Sequence, residues 1–309
     1  MEPPKLLSSV LNRCCLLLAC VALAAPPAIG KTAGSSTTLK ATRSWAVRRQ
    51  PAQLVNGSPV LIEVVPPVRL TALSATWLGH DVFFSYDPAT KTWYGMAGVS
   101  LETRPGIYAL ELKGRTAKSA EVAFSQRIKV QAAKYPSIAV TVAKKFTEPS
   151  KEQLQRIQQD KAVKHDVFEH TDTEREWSGN FLRPVSVPVS DVFGTRRTFN
   201  GKVQSMHQGL DFAAPTGTPV LAANSGTILL AGPLYFEGNC VVIDHGQGLL
   251  TLYLHLSDVQ VKPGERIARG QQIGLSGGTG RATGPHLHLA VRWQGVYLNP
   301  ATLLNLKLP

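Results

Sequence analysis

Beyond its first forty-odd residues, this chain is a succession of short runs of β-branched and aromatic residues, each closed by glycine, proline, asparagine or aspartate. From about Gln50 to Phe146 the runs are "PVLIEVVP", "LTALSATWLG", "DVFFSYD", "TWYGMAGVSL", "GIYALELKG", "VAFSQRIKV" and "SIAVTVAKK". Short strands at this spacing suggest a β-sandwich of immunoglobulin-like size. From about Phe181 the pattern returns as "PVLAANSGTILLAG", "NCVVIDHG", "LLTLYLHLS", "RIARGQQIGLSGG" and "PHLHLAVRW", with no long helical period between them. That predicts an antiparallel, much-bent sheet or a barrel-like core. One stretch breaks the pattern: after "TEP", Ser150 can cap a helix with Gln153 placed to complete a capping box, and strong helix formers follow. A linker helix is expected from about Ser150 to His170, with His165 and His170 on its solvated face and no partners at metal-ligand spacing. The expected division is a β-sandwich over 46–147, a linker helix within 148–180 and a second β domain over 181–309.

The first residues have a different chemistry. Lys5 and Arg13 precede an apolar run from Cys14 to about Ala25, which ends in small residues and prolines. This is the order of a secretory signal peptide, expected over 1–25, and the run of about a dozen residues is too short to cross a bilayer comfortably. A lipoprotein form acylated at Cys20 is the alternative. Residues 26–45, rich in Ser, Thr, Gly and basic residues, suggest a flexible tether. Of the four cysteines, Cys14, Cys15 and Cys20 fall in the leader, leaving Cys240 as a buried, small apolar residue. The formal net charge of +12 favours polyanionic surroundings. Export directs that preference toward an envelope polymer with carboxylates and phosphates rather than nucleic acid.

Several apparent motifs fail on their context. "GLSGG" matches a nucleophile elbow, but no acid follows Ser276 and no helical pattern succeeds it. The glycines of "GGTGRATG" lack the Lys-Ser/Thr ending of a phosphate loop, and no H-E-x-x-H helix occurs. The pair "PVLAANSGTI" and "VKPGERIARGQQIG" resembles the halves of a biotinyl or lipoyl carrier, without the acceptor lysine between them.

Five of the eight histidines lie in the last third: His207, His245, His255, His286 and His288. On an extended strand, positions an even number apart share a face. His207 and Asp211 can therefore face one way, with Gly209 between them allowing close approach, and His286 and His288 pair by the same rule. Two histidines and an aspartate match the three protein ligands of a catalytic zinc site. Further histidines would be free to move protons.

At these residues the chain from about Ser190 to Pro300 resembles the M23 metallopeptidases, the lysostaphin-like or LytM-type cell-wall endopeptidases. "HQGLDFAAPTGTPV", "GNCVVIDHGQGLLTLYLHLS" and "TGPHLHLAV" carry the resemblance. It implies an M23 peptidase core, Zn2+ held by His207, Asp211 and His288, and catalytic roles for His255 and His286. His245 is expected to be structural. No tyrosine stands between Asn200 and His207, where some members place an oxyanion donor, so Arg196, Arg197 or Asn200 become candidates for the substrate groove. The implied function is hydrolysis of peptide crosslinks in bacterial peptidoglycan by an exported enzyme. The alternative is a non-catalytic wall-binding regulator of another hydrolase.

Overall fold

The computed structural model describes residues 44–169, 172–201 and 203–309. The expected leader at 1–25, almost all of the tether, the three cysteines of the leader and His170 lie outside the described residues. The described protein is mainly β, and all of it from Ser44 onward belongs to one compact unit.

Two sheets form the N-terminal region. In the first, Ala46–Gln50, Pro59–Val65, Thr92–Gly98 and Ser85–Asp87 lie side by side, all antiparallel. In the second, Leu54–Val55, Glu121–Gln131, Gly106–Thr116, Leu70–Trp77 and His80–Phe83 follow in that order. Alternation governs the second sheet: along Leu70–Trp77 the apolar side chains of Leu70, Leu73, Ala75 and Trp77 are buried while Thr71, Ser74 and Thr76 face water. This is the pattern of a sheet packed on one face only. Trp77 ties the sheets together, its indole Nε1 donating to the Gly98 carbonyl at 2.8 Å.

Two of the expected runs behave differently from a simple sandwich. "DVFFSYD" is divided at Phe84, so that His80–Phe83 joins one sheet and Ser85–Asp87 the other. The last run lies outside these two sheets: Ser137–Val140 pairs in parallel with Arg196–Phe199, which forms a hairpin with Val203–Met206. Asn200 explains the join, since its side chain accepts from Val142 N and donates to Val142 O.

The helix Lys151–Glu169 begins with the expected capping box, Ser150 Oγ accepting from Gln153 N and Gln153 Oε1 accepting from Ser150 N. It is docked rather than free. Arg156 donates to the Pro233 carbonyl, Asp160 accepts from Tyr235 N, Lys164 pairs with Glu237 at 2.6 Å, and Arg292 stacks on Phe168 at 4.1 Å. No helix among the described residues is long and apolar enough to cross a membrane.

Beneath this helix lies an antiparallel sheet ordered Val189–Asp191, Gly209–Phe212, Leu287–Trp293, Leu249–Leu256, Gly238–Asp244, Gly226–Leu234 and Arg266–Ile267, with Val296–Leu298 added beside Leu287–Trp293. All eight residues of Leu249–Leu256 are buried. Both faces are covered, which an unbroken apolar run such as "LLTLYLHL" requires. On one face Tyr253, Leu287, Leu289 and Trp293 join a core continuous with that of the N-terminal sheets. On the other, Leu250, Leu252, Leu254 and Ala290 pack with Cys240 and Val242 against Val167 and Phe168 of the helix.

Candidate metal centre

The three central strands bring the site together by register alone. Asp211 lies opposite His288, and His288 opposite Leu254. His207 enters from the turn after Val203–Met206. His207 Nε2 stands 3.0 Å from Asp211 Oδ1 and 3.1 Å from His288 Nδ1, and His288 Nδ1 stands 2.7 Å from Asp211 Oδ1. These three atoms form a triangle whose sides are a few tenths of an ångström shorter than the edges, about 3.3 Å, of a tetrahedral zinc site. Gly209 makes the approach possible: a Cβ there would lie 2.3 Å from His288 Nε2 and 2.6 Å from the Leu289 carbonyl.

His207, Asp211 and His288 are all buried. Burial pushes the Asp211 carboxyl up, but hydrogen bonds from His207 and His288 outweigh it and hold the group well below the usual carboxylate range. A permanently ionised carboxylate between two imidazoles is a donor set suited to a divalent cation. His207 Nδ1–H donates to the Val192 carbonyl at 2.8 Å, so a metal at the centre would meet Nε2 as a lone pair in place of its hydrogen bond to Asp211. The other oxygen of Asp211 is gripped by Arg197, which also binds Asp191, and Asp191 in turn lies 3.5 Å from His207 Nδ1.

The remaining two histidines flank this triangle. His286 is paired with Gly277 in an isolated bridge just before Leu287–Trp293; its Nε2 lies 3.9 Å from Asp211 Oδ1 and its Nδ1 donates to the Gly284 carbonyl. Leu287, between the two histidines of "HLH", points to the opposite face and is fully buried in the core. His255 reaches the site by a different route. The even-spacing rule puts it on the face opposite Leu254, yet its ring lies 4.7 Å from that of His286 and 6.0 Å from that of His288. A register shift between the pairs Asn239–Leu256 and Val241–Tyr253, with His255 at φ 66°, swings it across. Its Nδ1 donates to the Thr279 carbonyl at 2.8 Å. Burial, reinforced by the neighbouring His288 and His286, pushes its pKa down to about 3.

The other expectations fall into place around these groups. His245 is buried outside the cluster, with Nδ1 donating to the Ser225 carbonyl and Nε2 accepting from Thr251. Ser276 is buried too, donating to the Pro215 carbonyl, and Cys240 lies in the core. Of the three groove candidates, Arg197 touches the cluster, Arg196 is exposed and Asn200 serves the hairpin turn. Asp191, Phe168 and Arg281 were not singled out by the sequence. Arg281 had a signal, as the one charge in the glycine-rich loop before "PHLH".

Residues 205–300 match the family model described as peptidase family M23. The chain carries an M23 peptidase domain. It is similar to the peptidoglycan DD-endopeptidase ShyA of Vibrio cholerae, 46% identical over 112 residues that make up 36% of this chain and 26% of that protein. It is similar also to the DD-carboxypeptidase/endopeptidase Mpg of Neisseria meningitidis, 42% identical over 130 residues, 42% of this chain and 30% of that one. The chain thus spans about a quarter to a third of the length of these curated relatives. A crystal structure of an M23 peptidase candidate from Pseudomonas aeruginosa matches with a TM-score of 0.63 at 28% identity, covering 82% of this chain and 95% of that one. That coverage reaches well beyond the peptidase domain, so much of the N-terminal β region is shared as well.

Proposed function

We propose that this protein is an exported, zinc-dependent endopeptidase that hydrolyses peptide crosslinks of bacterial peptidoglycan. The observation that carries the reading is the convergence of His207 Nε2, Asp211 Oδ1 and His288 Nδ1 within 4.8 Å of one another, beside two further histidines. Zinc held there would polarise the scissile carbonyl and acidify a water molecule. The chain's own groups supply the rest. His255 and His286 each have Nδ1 tied to a backbone carbonyl, so each presents a bare Nε2 that can take a proton from the attacking water and return it to the leaving amine. His255 is held neutral by its surroundings, which leaves that Nε2 unprotonated at neutral pH. Arg197 and Asp191 position the ligands Asp211 and His207. A net charge of +12 favours retention on an anionic wall. The N-terminal sheets, read as an immunoglobulin-like sandwich, serve in this account as a spacing or wall-binding module.

Metal content tests the assignment most cheaply. The purified protein should bind one zinc per chain, and His207→Ala and Asp211→Ala should bind none at the same free-metal concentration. A wild-type protein without zinc would instead favour a non-catalytic regulator.

A further inference from the structure

Two cavities open beside the metal centre, and they share four residues: Arg197, Phe199, His255 and Arg281. The two arginines have different chemistry. Arg197 is neutralised by Asp191 and Asp211. Arg281 lies against two aromatic rings, 4.8 Å from Phe199 and 4.7 Å from Phe236, and among the described residues its side chain has no ion pair and no hydrogen-bond acceptor. The acid whose field reaches it, Glu237, is already bound by Lys164 at 2.6 Å. Its backbone is pinned as well. Arg281 N donates to the Phe236 carbonyl, and the preceding Gly280 is pressed so close to the turn at Gly238 that a Cβ would lie 2.3 Å from Gly238 N.

A guanidinium stacked on rings keeps its N–H edge for an acceptor in its plane, and a carboxylate fills that edge with two parallel hydrogen bonds. A half-buried cation without such a partner is poised for one from outside. In a wall crosslink between D-alanine and diaminopimelate, the carbon bearing the scissile nitrogen also carries a free carboxylate. A glycine bridge has hydrogen there. We propose that Arg281 is the specificity residue of this site, binding the carboxylate on the carbon that bears the scissile nitrogen and so selecting diaminopimelate crosslinks over glycine bridges or amidated crosslinks. The inference rests on the wall-peptidase reading above for its substrate, and on Arg281 for its selectivity. Leaving the cation unmatched is what rejects the wrong peptide.

The probe is a tripeptide ending in meso-diaminopimelate, with the carboxyl at its D-centre either free or amidated, titrated calorimetrically into the full-length protein. Wild type should bind the free acid on the order of tenfold or more tightly than the amide, the range of a charge-assisted hydrogen bond. Arg281→Gln should bind both forms alike, and Arg281→Lys should keep part of the preference, since an ammonium attracts the carboxylate but lacks the planar fork. The same ratios should appear in kcat/KM for crosslinked dimers with free and amidated carboxyls. No preference in wild type, or a preference undiminished in both variants, overturns the proposal. If Arg281→Gln fails to fold, the Lys variant decides it. A wild-type protein that binds the acid through Arg281 but releases nothing from sacculi would overturn the hydrolase reading while leaving the carboxylate site standing.

Discussion

The two β regions of this molecule follow the same rules of alternation and differ in what they bury. Between residues 46 and 131 the buried polar side chains are Ser58 and Thr92, two hydroxyls in an otherwise apolar interior of Leu61, Ile62, Trp77, Met96 and Leu110. Between 189 and 298 the buried polar side chains are Thr195, His207, Asp211, Asn224, Asp244, His245, Gln247, Thr251, His255, Ser276 and His288. Desolvating such groups costs free energy unless each finds a partner. His245 and Thr251 find theirs in a hydrogen-bond chain that runs on to Tyr253. The cluster at His207, Asp211 and His288 brings two ring nitrogens and a carboxylate oxygen to within 3.1 Å of one another, a set of groups that could hold a cation. One region buries an apolar core, the other a polar cluster suited to a ligand.

If that contrast is right, substitutions in the two regions should separate stability from metal binding. The largest stability loss is expected for Trp77→Ala: a buried indole that also donates to Gly98 should cost about 3–5 kcal/mol. Urea unfolding checks this, and the folded fraction should retain its zinc. Gly209→Ala should do the reverse. Its methyl group meets His288 and a backbone carbonyl rather than a yielding side-chain tip, so zinc affinity should fall on the order of 10–100-fold, the range for disturbing the groups that orient a ligand. Competition against a metal chelator reads it directly.

His245 sharpens the comparison through pH. Burial pushes its pKa down to about 4, whereas the unfolded chain takes up a proton near about 6.5. Its contribution is therefore fully present above that unfolded value and is lost as pH falls from about 6.5 toward 4. Between pH 7 and pH 5 the share due to His245 amounts to about 2 kcal/mol, so the drop in unfolding free energy should be smaller by about that amount in His245→Asn. A smaller effect is expected at the docked helix. Lys164→Ala removes one partly exposed ion pair to Glu237 and should cost about 1 kcal/mol or less. A greater loss would mean that the helix contributes more to the peptidase region than its apolar contacts suggest.

The same contrast explains what the amino-acid sequence revealed. Strand faces are legible wherever period 2 holds, so the pairing of His286 with His288 across Leu287 could be read from spacing, whereas His207 meets Asp211 from outside the strand Gly209–Phe212. The capping box at Ser150 was equally plain, being written in adjacent residues. His255 was identifiable by resemblance alone, because a bulge and a left-handed backbone reverse the face that spacing assigns it. Asp191 and Arg197 act through tertiary geometry, from a strand and a hairpin that no local pattern brings together. The separation of Ser137–Val140 from the two N-terminal sheets has the same cause: its partner Arg196–Phe199 lies some sixty residues onward, and a strand's sequence does not name its neighbour.

The proposed function rests on the buried His-Asp-His triangle. Muropeptide analysis of purified sacculi, digested with wild type and with His207→Ala, tests it most directly. Wild type should convert crosslinked dimers to monomers in a reaction that a chelator stops and zinc restores, and His207→Ala should leave the dimers intact. Undiminished dimers after incubation with zinc-loaded wild type, or equal cleavage by His207→Ala, would contradict it.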